Sequence, residues 1–134
     1  MFSKITSNII VSVIPQYDIK NSYPSENRYV FKYNVIIENT ADFNIKILKR
    51  RWIIFDIGFG FTEVVGDGVI GLTPDINVGE SFSYFSNVML RSGVGNMNGK
   101  YLVENTETKE QFEIDIPKFN LFSEIGRASC RERV

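Results

Sequence analysis

Residues 66 to 71 read Gly-Asp-Gly-Val-Ile-Gly, the G-x-G-x-x-G spacing with which a nucleotide-binding loop lets its backbone approach a pyrophosphate. Such a loop works only when it follows a strand and opens a helix, whose N-terminal N–H groups then face the anion. The strand-like run 61–65 meets the first condition. The second fails, because Pro74, Gly79 and the turn-favouring Asp75 and Asn77 leave no room for a helix. The stretch is therefore expected to be a loop between two edge strands, with its glycines present for positive φ or close packing. A glycine-rich turn can still hold an anion with successive backbone N–H groups and no helix. Cations are near in sequence at Lys49, Arg50 and Arg51. Alternation places Lys49 and Arg51 on one strand face and Arg50 with Trp52 on the other. The candidate anion-binding residues are Gly66, Gly68, Gly71, Arg50 and Arg51, against the plainer reading of the cations as a solvated sheet face.

Other chemistries find fewer residues. No Gly-Lys-Ser or Gly-Lys-Thr follows the glycines, so a P-loop is excluded. The sequence has no His and a single Cys, Cys130, which excludes a Ser-His triad, a disulfide framework and a thiolate or imidazole metal site. Asp56, Glu63 and Asp67 could offer oxygen ligands to a hard cation. They define a rival reading, a nucleotide-binding or phosphohydrolase site on the glycine loop with Arg50 or Arg51. No catalytic residue, metal ligand or cofactor is assigned. With 15 Lys and Arg against 16 Asp and Glu, the net charge is -1, and the basic excess of a nucleic-acid binder is missing.

The elements that must position these residues are strands. Eleven Phe and six Tyr in 134 residues, with many Ile and Val, favour a pleated backbone. Seven segments read as strands: 9–17, 28–39, 45–55, 61–65, 81–86, 99–105 and 110–117. In the second, Tyr29, Phe31, Tyr33, Val35 and Ile37 alternate with more polar neighbours, which assigns those aromatics to a core rather than to a base-stacking platform. Pro15 argues for an edge position in the first segment, and the last segment closes at Pro117 with Phe112, Ile114 and Ile116 inward. Residues 87–101 offer Met89, Leu90 and Met97 around a flexible loop, a surface that either meets a partner or caps one end of the core. Short strands with regular turn signals and no amphipathic helix give an all-β fold. The expected form is a fibronectin type III-like, immunoglobulin-like sandwich of about seven antiparallel strands. No apolar run is long enough to span a bilayer, and the start "MFSKITSNII" lacks a signal-peptide h-region. The expected location is the cytoplasm, without membrane insertion.

Residues 124–134, Glu-Ile-Gly-Arg-Ala-Ser-Cys-Arg-Glu-Arg-Val, break this pattern and match the translation of a common short-read sequencing adapter. They are expected to be a non-native read-through tail, leaving 1–123 as the single domain, still slightly acidic and without cysteine.

The blocks "RYVFKYNVIIEN", "RRWIIFD", "EVVGDGVIGLTPDINVGESFSYFS", "GNMNGKYLV" and "FEIDIPKFNL" resemble, in order and spacing, those of the ApaG family. The glycine motif is followed at fixed spacing by Pro74, Gly79, Ser81, Phe82 and Tyr84, then Gly95, Met97, Gly99 and Tyr101. The chain departs from the family where a His commonly precedes Trp52, which removes a titrating group. The resemblance implies a fibronectin type III-like sandwich in bacterial proteins associated with cobalt tolerance and magnesium efflux. It also implies interaction modules in eukaryotic F-box and polymerase-delta-interacting proteins, and no enzyme activity. The function expected is a non-catalytic binding domain linked to divalent-metal homeostasis. Its partner is expected to be a protein or a phosphate-type anion, and association of copies of the chain is compatible with such a surface.

Overall fold

The computed structural model describes residues 1–123 as nine strands in two antiparallel sheets; the expected read-through tail lies outside the described residues. The strands are β1 (Phe2–Thr6), β2 (Ile9–Tyr17), β3 (Tyr29–Asn39), β4 (Ile45–Asp56), β5 (Gly60–Asp67), β6 (Asp75–Ile76), β7 (Ser81–Leu90), β8 (Val94–Asn105) and β9 (Gln111–Phe122). One sheet has the order β1-β2-β3-β7. The other runs β5-β4-β8-β9, with β6 also paired to β4. The architecture is the expected fibronectin type III-like sandwich, with two strands more than the sequence suggested.

Alternation builds the core. Ile9, Val11 and Val13 of β2 and Phe31, Tyr33, Val35 and Ile37 of β3 are buried, facing Ile45, Ile47, Trp52, Tyr101, Val103, Ile114 and Ile116 from the other sheet. Trp52 meets the rings of Tyr33 and Phe119 edge-on, at centroid separations of 5.4 and 6.0 Å. Such contacts add to the burial of large apolar side chains.

Two bulges set which residues face in. On β4 the pairing with β8 slips at Leu48, between Ile47↔Val103 and Lys49↔Leu102. Ile45 and Ile47 point inward before the slip, and Trp52 does so after it. Without the extra residue, strict alternation from Ile45 would drive Lys49 and Arg51 into the core. On β9 the slip lies between Gly99↔Ile116 and Met97↔Phe119 and takes in Pro117 and Lys118. A bulge tolerates a residue with no N–H, so β9 continues past Pro117 to Phe122 instead of ending there. Pro15, expected to mark an edge, lies in β2 between β1 and β3 in sheet order. The pairing with β1 stops at Val13, however, so Pro15 has a partner only on the β3 side, at Tyr33.

The flexible loop expected within 87–101 is only a tight turn. β7 runs to Leu90 and β8 starts at Val94, and the side chain of Asp56 holds the tight turn between them. Its carboxylate accepts from the Arg91 and Ser92 N–H groups at 2.7 and 3.1 Å and from the Ser92 hydroxyl. Leu90 and Met97 are buried while Met89 is exposed.

The two sides of the sandwich differ. Along one, β1 and β9 meet: Phe2 packs on Phe119, Lys4 pairs with Asp115 at 3.2 Å, and the Asp115 N–H donates to the Thr6 hydroxyl at 3.1 Å. Along the other, β5 and β7 are both outermost in their sheets and do not pair with each other.

Candidate ligand site at the open side

The glycine segment leaves the sheet at the end of β5 and returns as β6, both strands pairing with β4. Between them the chain makes a two-residue hairpin. Val69 and Leu72 exchange N–H···O=C bonds of 2.8 Å each, and Ile70 and Gly71 carry φ of 43° and 78°, the positive pair that such a turn demands. Val69 is fully buried and anchors the excursion. The three motif glycines serve different ends. Gly71 supplies a positive φ in open space. Gly68 combines φ of 54° with a backbone so close that a Cβ would overlap the Leu72 carbonyl. Gly66, opposite Arg50 in the ladder, leaves room for the Arg50 guanidinium, which would lie 2.7 Å from any Cβ there. No helix follows; Leu72 leads through Pro74 into β6. The Gly68 N–H already donates to the Leu48 carbonyl at 2.7 Å, so the β4 bulge and the loop brace one another.

The carbonyls of this loop face the cation. Arg50 Nη1 donates to the Asp67 and Gly68 carbonyl oxygens at 2.9 and 3.2 Å. Arg50 thus lies inward of the loop, half-buried, as the alternation with Trp52 predicted. It lines a cavity of about 220 Å³ between the two sheets, with Tyr33, Trp52, Val64, Ile70, Tyr84, Ser86, Val88 and Met97 among the walls. The cavity lies on the open side, with β5 and the hairpin as one lip and β7 as the other. A guanidinium has five N–H donors. Nη1 uses its two on the loop, and Nε and Nη2 make no hydrogen bond to any described residue. No described carboxylate forms an ion pair with Arg50.

Three phenols share this environment. The Tyr84 and Tyr101 hydroxyls hydrogen-bond to one another at 2.5 Å in the core. Burial pushes the Tyr84 phenol well up, opposed by its bond to Tyr101 and by the Arg50 charge; burial also raises the Tyr101 phenol. Tyr33 is raised too, chiefly by burial, against the Ser86 hydroxyl and Arg50. All three therefore stay neutral at ordinary pH, and the Arg50 cation is the charge of the site.

Of the residues expected to bind an anion, the structure brings Arg50, Gly66 and Gly68 together, with Gly71 at the hairpin tip. Arg51 is not among them. It lies exposed on the outer face and pairs with Glu63. The carboxylates needed by the phosphohydrolase reading are dispersed. Asp56 holds the β7–β8 turn, Glu63 holds Arg51, and Asp67 pairs across the ladder with Lys49, seven residues up β4 from Asp56 or about 23 Å. Among the described residues no three of His, Cys, Asp and Glu gather into a group able to hold a metal ion, and no helix is long and apolar enough to cross a membrane. Sequence reasoning missed the β7 wall, Tyr84, Ser86 and Val88. Its signal was present: inward positions of an edge strand that mix a tyrosine and a serine with apolar residues mark a polar cleft rather than a sealed core.

The family model for the ApaG domain matches residues 19–105. Protein ApaG of Rhodopseudomonas palustris strain TIE-1 is 39% identical over 127 residues, covering 95% of this chain and 97% of that protein. Protein ApaG of Mesorhizobium japonicum is 41% identical over 121 residues, covering 90% and 92%. The crystal structure of a protein designated ApaA from Bordetella pertussis superposes with a TM-score of 0.84 at 37% identity, covering 90% of this chain and 97% of that one. In sequence along most of its length and in fold, the chain belongs to the ApaG family.

Proposed function

We propose that this chain is a non-catalytic binding domain of the cytoplasm, which receives a carboxylate or phosphate group of its partner at Arg50 in the open-side cavity. One observation carries the reading: a half-buried guanidinium lines the cavity with Nε and Nη2 engaged by no described residue and no described carboxylate in ion-pair range. That edge of an arginine matches a carboxylate or phosphate bidentately. The walls support binding over turnover. Among the described residues they hold no carboxylate or imidazole, and the phenols are shifted away from neutrality, so no described group there has the near-neutral pKa that general acid–base work needs. The link of the family to cobalt tolerance and magnesium efflux belongs to the same proposal and runs through the partner rather than through a metal held by this domain.

The test is titration of the isotope-labelled chain with inorganic phosphate and pyrophosphate, observing the Arg50 Nε–H and the Gly66 and Gly68 amides. Saturable shifts that vanish in Arg50→Gln are expected. Signals unmoved at millimolar anion would reject the reading.

A further inference from the structure

The four outermost strands are not equally guarded. β1 is short and carries Lys4; β9 carries Lys118, several acids and a bulge at Pro117; β5 carries Glu63 and is flanked by glycines. These are the usual means of stopping unwanted strand pairing. Within its own span β7 has no such charge, proline or bulge, although Glu80 and Arg91 stand just outside it. Its ten residues, Ser-Phe-Ser-Tyr-Phe-Ser-Asn-Val-Met-Leu, include no charge and no proline. Their pairing with β3 runs without a slip from Glu38↔Ser81 to Tyr29↔Leu90, and no described strand pairs along the other side. Phe85 and Met89 stand exposed on its outer face, and Tyr84, Ser86 and Val88 line the Arg50 cavity from its inner face.

We infer that β7 accepts an extended acidic peptide segment of a partner protein as a further antiparallel or parallel strand, with one Asp or Glu side chain of that segment reaching Arg50. The inference deepens the proposed function and rests on it. A strand added about 4.8 Å beyond β7 extends the sheet across the mouth of the cavity, and every second side chain then points between the sheets. Those positions look onto Val64, Ile70 and Val88 and onto Arg50, the one cation among the described lining residues. The complementary sequence is therefore apolar-x-acidic-x-apolar, with the acid placed by the backbone ladder. Charge decides the occupant. A second copy pairing through its own β7 would bring no carboxylate, because that strand has none.

The experiment selects a random 12-residue peptide library displayed on phage against the full chain and synthesises the enriched peptides. The expected result is a period-two consensus with a central Asp or Glu, binding at least tenfold weaker when that residue is replaced by its amide. N-methylation of alternate peptide backbone nitrogens should abolish binding, and hydrogen exchange should slow at the β7 amides. Because the changes are made in the peptide, the result does not depend on a protein variant folding. Absence of enrichment, indifference to the acid or to N-methylation, protection away from β7, or sedimentation showing a dimer joined through β7 would each overturn the inference. A phosphate response at Arg50 without peptide selection would defeat strand addition alone. Loss of the phosphate response as well would defeat the proposed function.

Discussion

Replacing Gly68 by alanine separates a turn glycine from a ligand-binding one. Two costs add at this position. A side chain at φ of 54° incurs the left-handed penalty of about 1–2 kcal/mol. The new Cβ also meets the Leu72 carbonyl, which belongs to the rigid hairpin. Relief requires that hairpin to open, losing the two Val69–Leu72 bonds at about 1 kcal/mol each and loosening the buried Val69. The total comes to about 3–5 kcal/mol, and for a domain of this size the melting temperature should fall by on the order of 10–20 °C. Gly71→Ala is the matched control. It has a similar φ and open space around the Cβ, so only the first cost applies, about 1–2 kcal/mol. Gly66→Ala has no φ penalty, and its Cβ meets only the flexible Arg50 side chain. It should cost about 1 kcal/mol, because the two partly exposed Arg50 bonds to the Asp67 and Gly68 carbonyls are exchanged for water, while displacing the guanidinium and weakening the phosphate response. Calorimetric melting of the three variants gives the order Gly68 worst, Gly71 intermediate, Gly66 least. Equal losses at Gly68 and Gly71 would refute the close-packing account of the loop.

Tyr84→Phe strands the buried Tyr101 hydroxyl and should cost about 1–3 kcal/mol in urea unfolding, whereas the double change Tyr84→Phe with Tyr101→Phe should recover most of that loss. Asn39, buried at the end of β3, donates through Nδ2 to the Phe43 and Ile76 carbonyls and accepts from the Ala41 N–H; Asn39→Ala should destabilise by about 2–4 kcal/mol by the same assay. Hydrogen bonds and charge from Lys100 and Lys4 hold the Asp115 carboxyl below its ordinary 3.8. Its contribution to stability is therefore complete above that value and lost as pH falls through the lowered one, and Asp115→Asn should flatten the acid limb of a stability profile below about pH 5.

Strong alternation made much of this fold legible before any coordinates. Residues 29–39 and the pair Arg50 and Trp52 took the faces their spacing assigned, because period two has a single inward solution once a core exists. The failures have a common cause in backbone irregularity. β1 has little apolar alternation and is fixed by the turn at Ser7 and Asn8, both with positive φ, and by pairing to β2. Pro117 looks like a terminator until a bulge absorbs it. The run from Asn87 to Asn98 is rich in glycine and asparagine, which signals a loop, yet Gly95 is a strand residue pressed against the Phe55 carbonyl of β4, as Gly99, where a strand was expected to start, is against that of Arg51. The anion candidates were partly legible for the same reason. Cation and glycines adjoin across one ladder, but the sign of the loop was hidden, since its carbonyls and not its amides turn toward Arg50.

Between its outermost strands the sandwich is bound along the β1–β9 margin, while the β5–β7 margin is tied only at the Arg91 end, by Asp56 and by Phe59. Because Thr6, Lys4 and Phe2 tie β1 to β9, separation of the layers has a natural spine there and widens toward the opposite margin, as the leaves of a book do. Thermal breathing should be graded, with amides of the outermost strands at the looser margin exchanging fastest and those beside the spine slowest. A guest can then enter by a small splaying of the leaves while the Phe2–Phe119 contact at the spine is kept, so admission and global unfolding are separate events with separate rates.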